Sequence, residues 1–574
     1  MSTTSNKRKR ARKACIPCHQ RKRKCDAEVP CSTCTTYEYN CRYADDDNNN
    51  NTTSTNTAGG RSGHTQSLAQ RVMANPDGRP HVARARHEAD SPSTKTPPIR
   101  AGIFDEQRSR YTGASAAMAF PHILGVALGS DSPPKINSFA YNFGNRPEEA
   151  SNAYGFLGKL ISEDELAFYS NVYFSAMGPI GDFIDYRIYA QRCRDYYHGA
   201  GSTSVAFGAL AAGVAAFGSF LSPTRYPGEP DLLQYAKTIL DDPASMRMPS
   251  IDHIIAWGMR LFFLRAASRP SNAWIASCTL MHLCEVVGLH EEENIKRMAS
   301  VAGAALVGHD ADRLRRIFWI SWAGHHMLSY EYDRSAITFG AVTCQDILPI
   351  PGSVADQFVQ IVQIIPSPNS PFQLECHPPT SRREEELCER LKALSKLHFT
   401  HPFLVATKAD LAFCFYRRIY QLKTGIPDEI IQLIIDSGND AVKAAEQLVS
   451  QGHLLWNVIG SVFQYACVLL AIGTPVSSAY IPAAFRGLEN LVQVADTGLT
   501  RQALSTARHL LSLNIAKKRK ELFQLEAVEA GYEPFQAQPE PRANAALPDI
   551  GGSVDWDEFL IEPYLSIFGP DIQL

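Results

Sequence analysis

The chain has 574 residues, 45% of them hydrophobic and 20% charged, which calls for at least one large globular body plus appended parts. Its net charge of -3 hides an asymmetry: residues 1–43 hold eleven Lys or Arg against three acids, 11 − 3 = +8, leaving -11 for the remainder. A basic head on an acidic body points to a polyanionic partner for the head alone, and the polar, basic opening "MSTTSNKRKR" excludes a secretory signal.

The first segment, residues 1–14, carries Lys7, Arg8, Lys9, Arg10, Arg12 and Lys13. Six cations in seven positions suit a nuclear import signal, a phosphate-binding arm, or both. Residues 15–43 follow with six cysteines, Cys15, Cys18, Cys25, Cys31, Cys34 and Cys41, at gaps of two, six, five, two and six. Without a secretory signal the thiols belong in a reducing compartment, where clustered cysteines hold metal rather than disulfides. Structural zinc takes four ligands. Six thiols therefore fill one site with two left over, or two sites if two thiolates are shared, because four terminal plus twice two makes eight. The segment also reads as a duplicated half, a C-x2-C hook with a third cysteine six residues on.

This pattern resembles the DNA-binding head of the fungal zinc binuclear cluster, Zn(2)-Cys(6), transcription regulators. The resemblance implies two zinc ions, with Cys15 and Cys31 bridging, Cys18 and Cys25 completing one ion, and Cys34 and Cys41 the other. Six thiolates and two Zn(2+) leave a charge of about -2, which nearby cations offset. "HQRKRKC" then presents Arg21, Lys22, Arg23 and Lys24 to double-stranded DNA from a metal-fixed start. By position, Arg21 and Lys22 match the family's base-reading pair and imply a CGG-type half-site, with Arg23 and Lys24 on phosphates. His19 stands where the family usually has Arg or Lys.

Residues 44–150 read as a disordered linker, polar and interrupted by Pro76, Pro80, Pro92, Pro97 and Pro98, with one apolar patch, "MAFPHILGVAL". Sustained heptads are missing behind the head, so a homodimer through the body and a monomer both stay open. Residues 151–530 read as an all-α regulatory domain. Ser162 and Glu165 form a capping box ahead of Leu166, Tyr169 and Tyr173 on one face. "VAFGALAAGVAAFGSFL", Val205 to Leu221, is a 17-residue apolar run diluted by Ala and Gly, a core helix rather than a membrane span. "NAWIASCTLMHLCEVVGLH" is apolar nearly all round and stops at Gly288, so Cys278, His282 and Cys284 read as packed residues rather than a metal site. His325 and His326 are adjacent and diverge on a helix.

No H-E-x-x-H, G-x-S-x-G or G-x-G-x-x-G motif is present, and "GFLGKL" fails as a phosphate loop. The chain is expected not to be an enzyme. The Trp274 helix and "DRLRRIFWISWAGHHMLSYEYDRSAITFGAVTCQDILPIP" resemble the middle homology region of the same fungal regulators across about residues 165–440. Asp333-Arg334 falls where that family tends to have Gly-Arg-Pro. Residues 531–574 form an acidic tail whose last 26 residues hold six acids and no Lys or Arg, with Trp556, Phe559 and Leu560 on one helical face, suited to a coactivator groove. The reading is a nuclear transcription factor, an activator of one pathway such as a secondary-metabolite gene cluster, with a repressor or ligand-responsive sensor as the alternative.

Overall fold

The computed structural model describes residues 14–16, 18, 25, 31, 103–105, 110–113, 116–117, 119–134, 155–199, 204–268, 270–367 and 380–529. The chain divides into two compact units, residues 1–95 and 96–574. The first is represented by the cysteine cluster. The second is mostly helical.

Inside the stretch read as linker, β1 (Ile103–Asp105) and β2 (Arg110–Thr112) pair antiparallel with Phe104 opposite Tyr111, and α1 spans Phe120–Ala127. Three-residue strands carry no readable alternation. A distant contact anchors them instead: the Tyr111 ring meets His290 edge-on at a centroid separation of 5.0 Å.

The helical body starts at α2 (Glu163–Ala176), where Ser162 Oγ accepts from the Glu165 N–H at 3.3 Å and the Ser162 N–H donates to Glu165 Oε2 at 3.1 Å. This reciprocal cap satisfies two donors that a helix start leaves open. It aims Leu166, Tyr169 and Tyr173 into the core, as the sequence predicts. α3 (Tyr186–Tyr197) leads to α4 (Val205–Leu221), whose residues 207–219 are all buried. α4 packs against α2, α5 (Glu229–Leu240) and α7 (Ile251–Ala267), with the short α6 (Pro243–Arg247) between the last two. The apolar run is thus the hub of the body, and among the described residues no single helix is long and apolar enough to cross a membrane. At Gly218 a Cβ would overlap the Tyr169 carbonyl oxygen. The missing side chain lets the backbones of α2 and α4 touch.

α8 (Pro270–Val287) ends at Gly288, φ +84°, and is followed by α9 (Glu292–Ala299) and α10 (Ala311–Glu331). α10 packs on α8, on α11 (Ala355–Gln363) and on the later helix Pro402–Leu422. A second layer comprises α12 (Thr380–Ser395), α13 (Pro402–Leu422), α14 (Asp428–Ser450) and α15 (Trp456–Ile472). The short α16 (Pro475–Ser478), α17 (Ile481–Val494) and α18 (Gly498–Glu529) close that end.

Candidate metal centre and the buried polar groups of the body

Four of the six clustered cysteines are described. The Sγ atoms of Cys15, Cys18, Cys25 and Cys31 all lie within 4.8 Å of one another. Cys31 Sγ stands 3.7 Å from Cys15 Sγ and 3.6 Å from Cys18 Sγ. A disulfide needs about 2.05 Å. Zinc–sulfur bonds of about 2.3 Å at the tetrahedral angle separate neighbouring sulfurs by about 3.8 Å, which is the spacing found. The Cys15 N–H points at Cys25 Sγ over 3.5 Å and would favour that sulfur as thiolate. Cys15, Cys18 and Cys31 are buried and Cys25 half-buried, a closed setting that suits structural rather than catalytic zinc.

These residues therefore fit one tetrahedral zinc, and it is the set the resemblance assigns to the first ion. Cys34 and Cys41 lie outside the described residues, as do Arg21, Lys22, Arg23, Lys24, the arm from Lys7 to Lys13, and the tail residues Trp556, Phe559 and Leu560.

In the body, His325 and His326 are buried and bound in place. His325 Nε2 accepts the Ile337 N–H at 2.8 Å, so the proton sits on Nδ1, 2.8 Å from Ser277 Oγ. Burial lowers its pKa to about 3, with His326 next to it adding to the effect. His326 Nδ1 donates to the Trp322 carbonyl at 3.0 Å, and its ring stacks on Trp322 with centroids 4.2 Å apart. Both imidazoles are neutral packing groups.

The Trp274 helix departs from its sequence reading. Ile275 is exposed and His282 reaches outward toward Glu285 at 3.6 Å, so α8 has a solvent face that the apolar run of letters concealed. Cys284 is buried, and burial pushes its thiol up to about 12.

Trp274 Nε1 donates to Ser329 Oγ and to the Ser335 carbonyl, each at 3.2 Å, and Arg334 lies 5.5 Å above its ring. Asp333 adopts φ +53°, a left-handed conformation that Asp tolerates better than most side chains. Arg418 holds it at 3.1 Å. The Arg-Arg-x-Phe-Trp run of α10 buries Arg316 completely. Its guanidinium donates to Asp312 Oδ2 at 2.8 Å, to Asp182 Oδ2 at 2.9 Å and to the Leu348 carbonyl. Arg313 joins the same Asp182 at 2.8 Å.

A second buried cluster escaped the sequence reading. Arg265 and Glu331 pair through two 2.9 Å contacts. Near them Asp410, 6% exposed, accepts from Ser461 Oγ at 2.7 Å. Burial and the Glu331 charge raise the Asp410 carboxyl to about 8. The one signal for it in the sequence is an acid set in the apolar "KADLAFCF".

Residues 13–50 match the fungal Zn(2)-Cys(6) binuclear cluster domain. Nearly the whole chain is similar to Protein RDR1 of Saccharomyces cerevisiae, 37% identical over 527 residues, 91% of this chain and 92% of that protein. It is also similar to Transcription factor kojR of Aspergillus oryzae, 28% identical over 518 residues, 90% and 85% of the two chains. A Schizosaccharomyces pombe protein named probable transcriptional repressor is 21% identical over 461 residues, 77% of this chain and 92% of its own. No solved structure matches the chain.

Proposed function

Because the chain belongs to the fungal zinc binuclear cluster transcription factors, which bind DNA and two zinc ions through this head, we propose that it reads CGG-type half-sites with Arg21 and Lys22. The observation that carries this reading is the four-thiol cluster. Two zinc ions held by Cys15, Cys18, Cys25, Cys31, Cys34 and Cys41 would clamp both ends of "HQRKRK" and fix one short basic helix at a defined angle to the duplex. Arg21 or Lys22 then donates to guanine O6 and N7 in the major groove, worth about 1–3 kcal/mol of discrimination per good bidentate contact. Arg23, Lys24 and the Lys7–Lys13 arm supply the sequence-independent, salt-sensitive part of binding.

The acidic tail around Trp556, Phe559 and Leu560 supports an activator that recruits coactivators in the nucleus. A repressor or ligand-responsive regulator is the second reading. It is favoured by the likeness to a protein named probable transcriptional repressor over 77% of the chain. Control of one biosynthetic gene cluster remains the pathway proposal.

Mobility shift with full-length, zinc-loaded protein tests the head. CGG-containing duplex should win over scrambled duplex, Lys22→Ala should erode that preference, and chelation of zinc should abolish it. Equal binding of both duplexes refutes the half-site reading. The tail is tested by joining residues 531–574 to a neutral DNA-binding module: increased reporter output supports the activator, and unchanged or reduced output the repressor.

A further inference from the structure

A cavity opens between α7, α10, α11 and α13, with Trp456 of α15 completing its wall. It is a partly open cleft that leaves about 50 Å3 for the centres of water-sized molecules. Four aromatic rings line it, those of Phe262, Phe358, Phe403 and Trp456. Phe262 stacks on Trp456 at 6.4 Å, and Phe403 meets Trp456 edge-on at 5.6 Å. Asp410 is the polar group left at this wall. The charge of Arg265 is taken up by its two contacts to Glu331. Asp410 Oδ1 is held by Ser461, while among the described residues its Oδ2 accepts no hydrogen bond.

Gly324 supplies an independent observation. It lies inside α10, where glycine costs about 0.5–1 kcal/mol against alanine. Packing does not demand it, since a Cβ there would meet only Leu261 Cδ2 at an ordinary 3.9 Å. The missing side chain leaves space on the cavity wall.

We propose that this cavity is an effector site for a small organic cation, an apolar or aromatic body bearing a protonated amine whose charge meets Asp410. Aromatic faces are negative and attract cations, and an apolar body replaces water on the remaining wall. An anion finds Arg265 already paired with Glu331. The carboxyl, kept partly protonated near neutral pH by burial, ionises fully when a cation arrives. The proposal does not depend on the half-site or on the sign of regulation, because binding is read directly and its failure leaves the DNA reading untouched.

Isothermal titration calorimetry on the full, zinc-loaded chain with phenylbutylamine, phenylbutanol and phenylbutyrate compares one body with three head groups. The amine should bind at least about tenfold more tightly than the alcohol, a difference of about 1.4 kcal/mol, and the carboxylate most weakly. Asp410→Asn keeps an acceptor for Ser461 and should remove the amine's advantage. Gly324→Leu fills the space and should remove binding of all three. Circular dichroism verifies folding of each variant, and if Gly324→Leu does not fold, Asp410→Asn decides alone. Equal affinities for the three probes, no binding of the amine at millimolar concentration, or an unchanged amine preference in folded Asp410→Asn overturns the proposal.

Discussion

Replacing Asp410 by Asn should change how the stability of the helical body depends on pH. The carboxyl is raised from its ordinary 3.8 to about 8, chiefly by burial and then by Glu331, while Ser461, Arg265 and Arg417 pull it back. Between those two values the unfolded chain has released this proton and the folded chain has kept it. Folding then binds a proton, and the slope of stability against pH is negative, at most about 1.4 kcal/mol per pH unit. Its contribution is greatest below the unfolded value and is lost as pH rises toward the folded one.

From about pH 5.5 to 7.5 the integrated loss is about 2.5 kcal/mol in the natural chain and absent in Asp410→Asn. Other titrating groups are common to both proteins and cancel in the difference. The assay is urea unfolding followed by tryptophan fluorescence, which reports the body because five of the six tryptophans, all but Trp556, lie between Trp257 and Trp456. Asp410→Asn should gain on the natural chain as pH rises. Parallel stability curves across that window would refute the assignment of a raised carboxyl.

Three further outcomes are expected. If Cys15 and Cys31 bridge the ions, Cys18→Ser should lower zinc in native mass spectrometry from two ions toward one, whereas Cys31→Ser should lose both; equal losses contradict bridging. Arg316→Met leaves Asp182 with Arg313 alone and strips the Leu348 carbonyl of its donor. Breaking such a buried pair costs about 3–5 kcal/mol, and a denaturant midpoint unchanged from the natural chain would disprove its structural role. Gly218→Ala must push α2 off α4 to clear the Tyr169 carbonyl, a destabilisation of about 1–3 kcal/mol or more that thermal unfolding measures; an unaltered transition would mean the two backbones do not touch.

Much of this protein is decided by local chemistry and is legible in the letters. Six cysteines at metal-ligand gaps specify the head, because two C-x2-C hooks bring thiols together with little help from the rest of the chain. The Ser162–Glu165 cap, the buried run from Val205 to Leu221 and the stop at Gly288 follow from hydrogen-bonding needs and side-chain size within a few residues. The neutral state of His325 was not legible, since its partners Ser277 and Ile337 sit on α8 and in the loop after α10. The exposed side of α8 was hidden for the same reason: an apolar stretch does not say which of its faces has a neighbour.

The sequence by itself determined the kind of protein, a zinc-clustered, DNA-binding head on a helical body, because spacing and composition are local properties. Tertiary structure alone decided where the body keeps its charges and its space. Arg265, Glu331 and Asp410 are far apart in the chain, and only the packing of α7, α10 and α13 makes one cluster of them. Desolvation and proximity shift the Asp410 carboxyl, and helix packing leaves the cavity beside it; both are properties of assembled surfaces rather than of residue order.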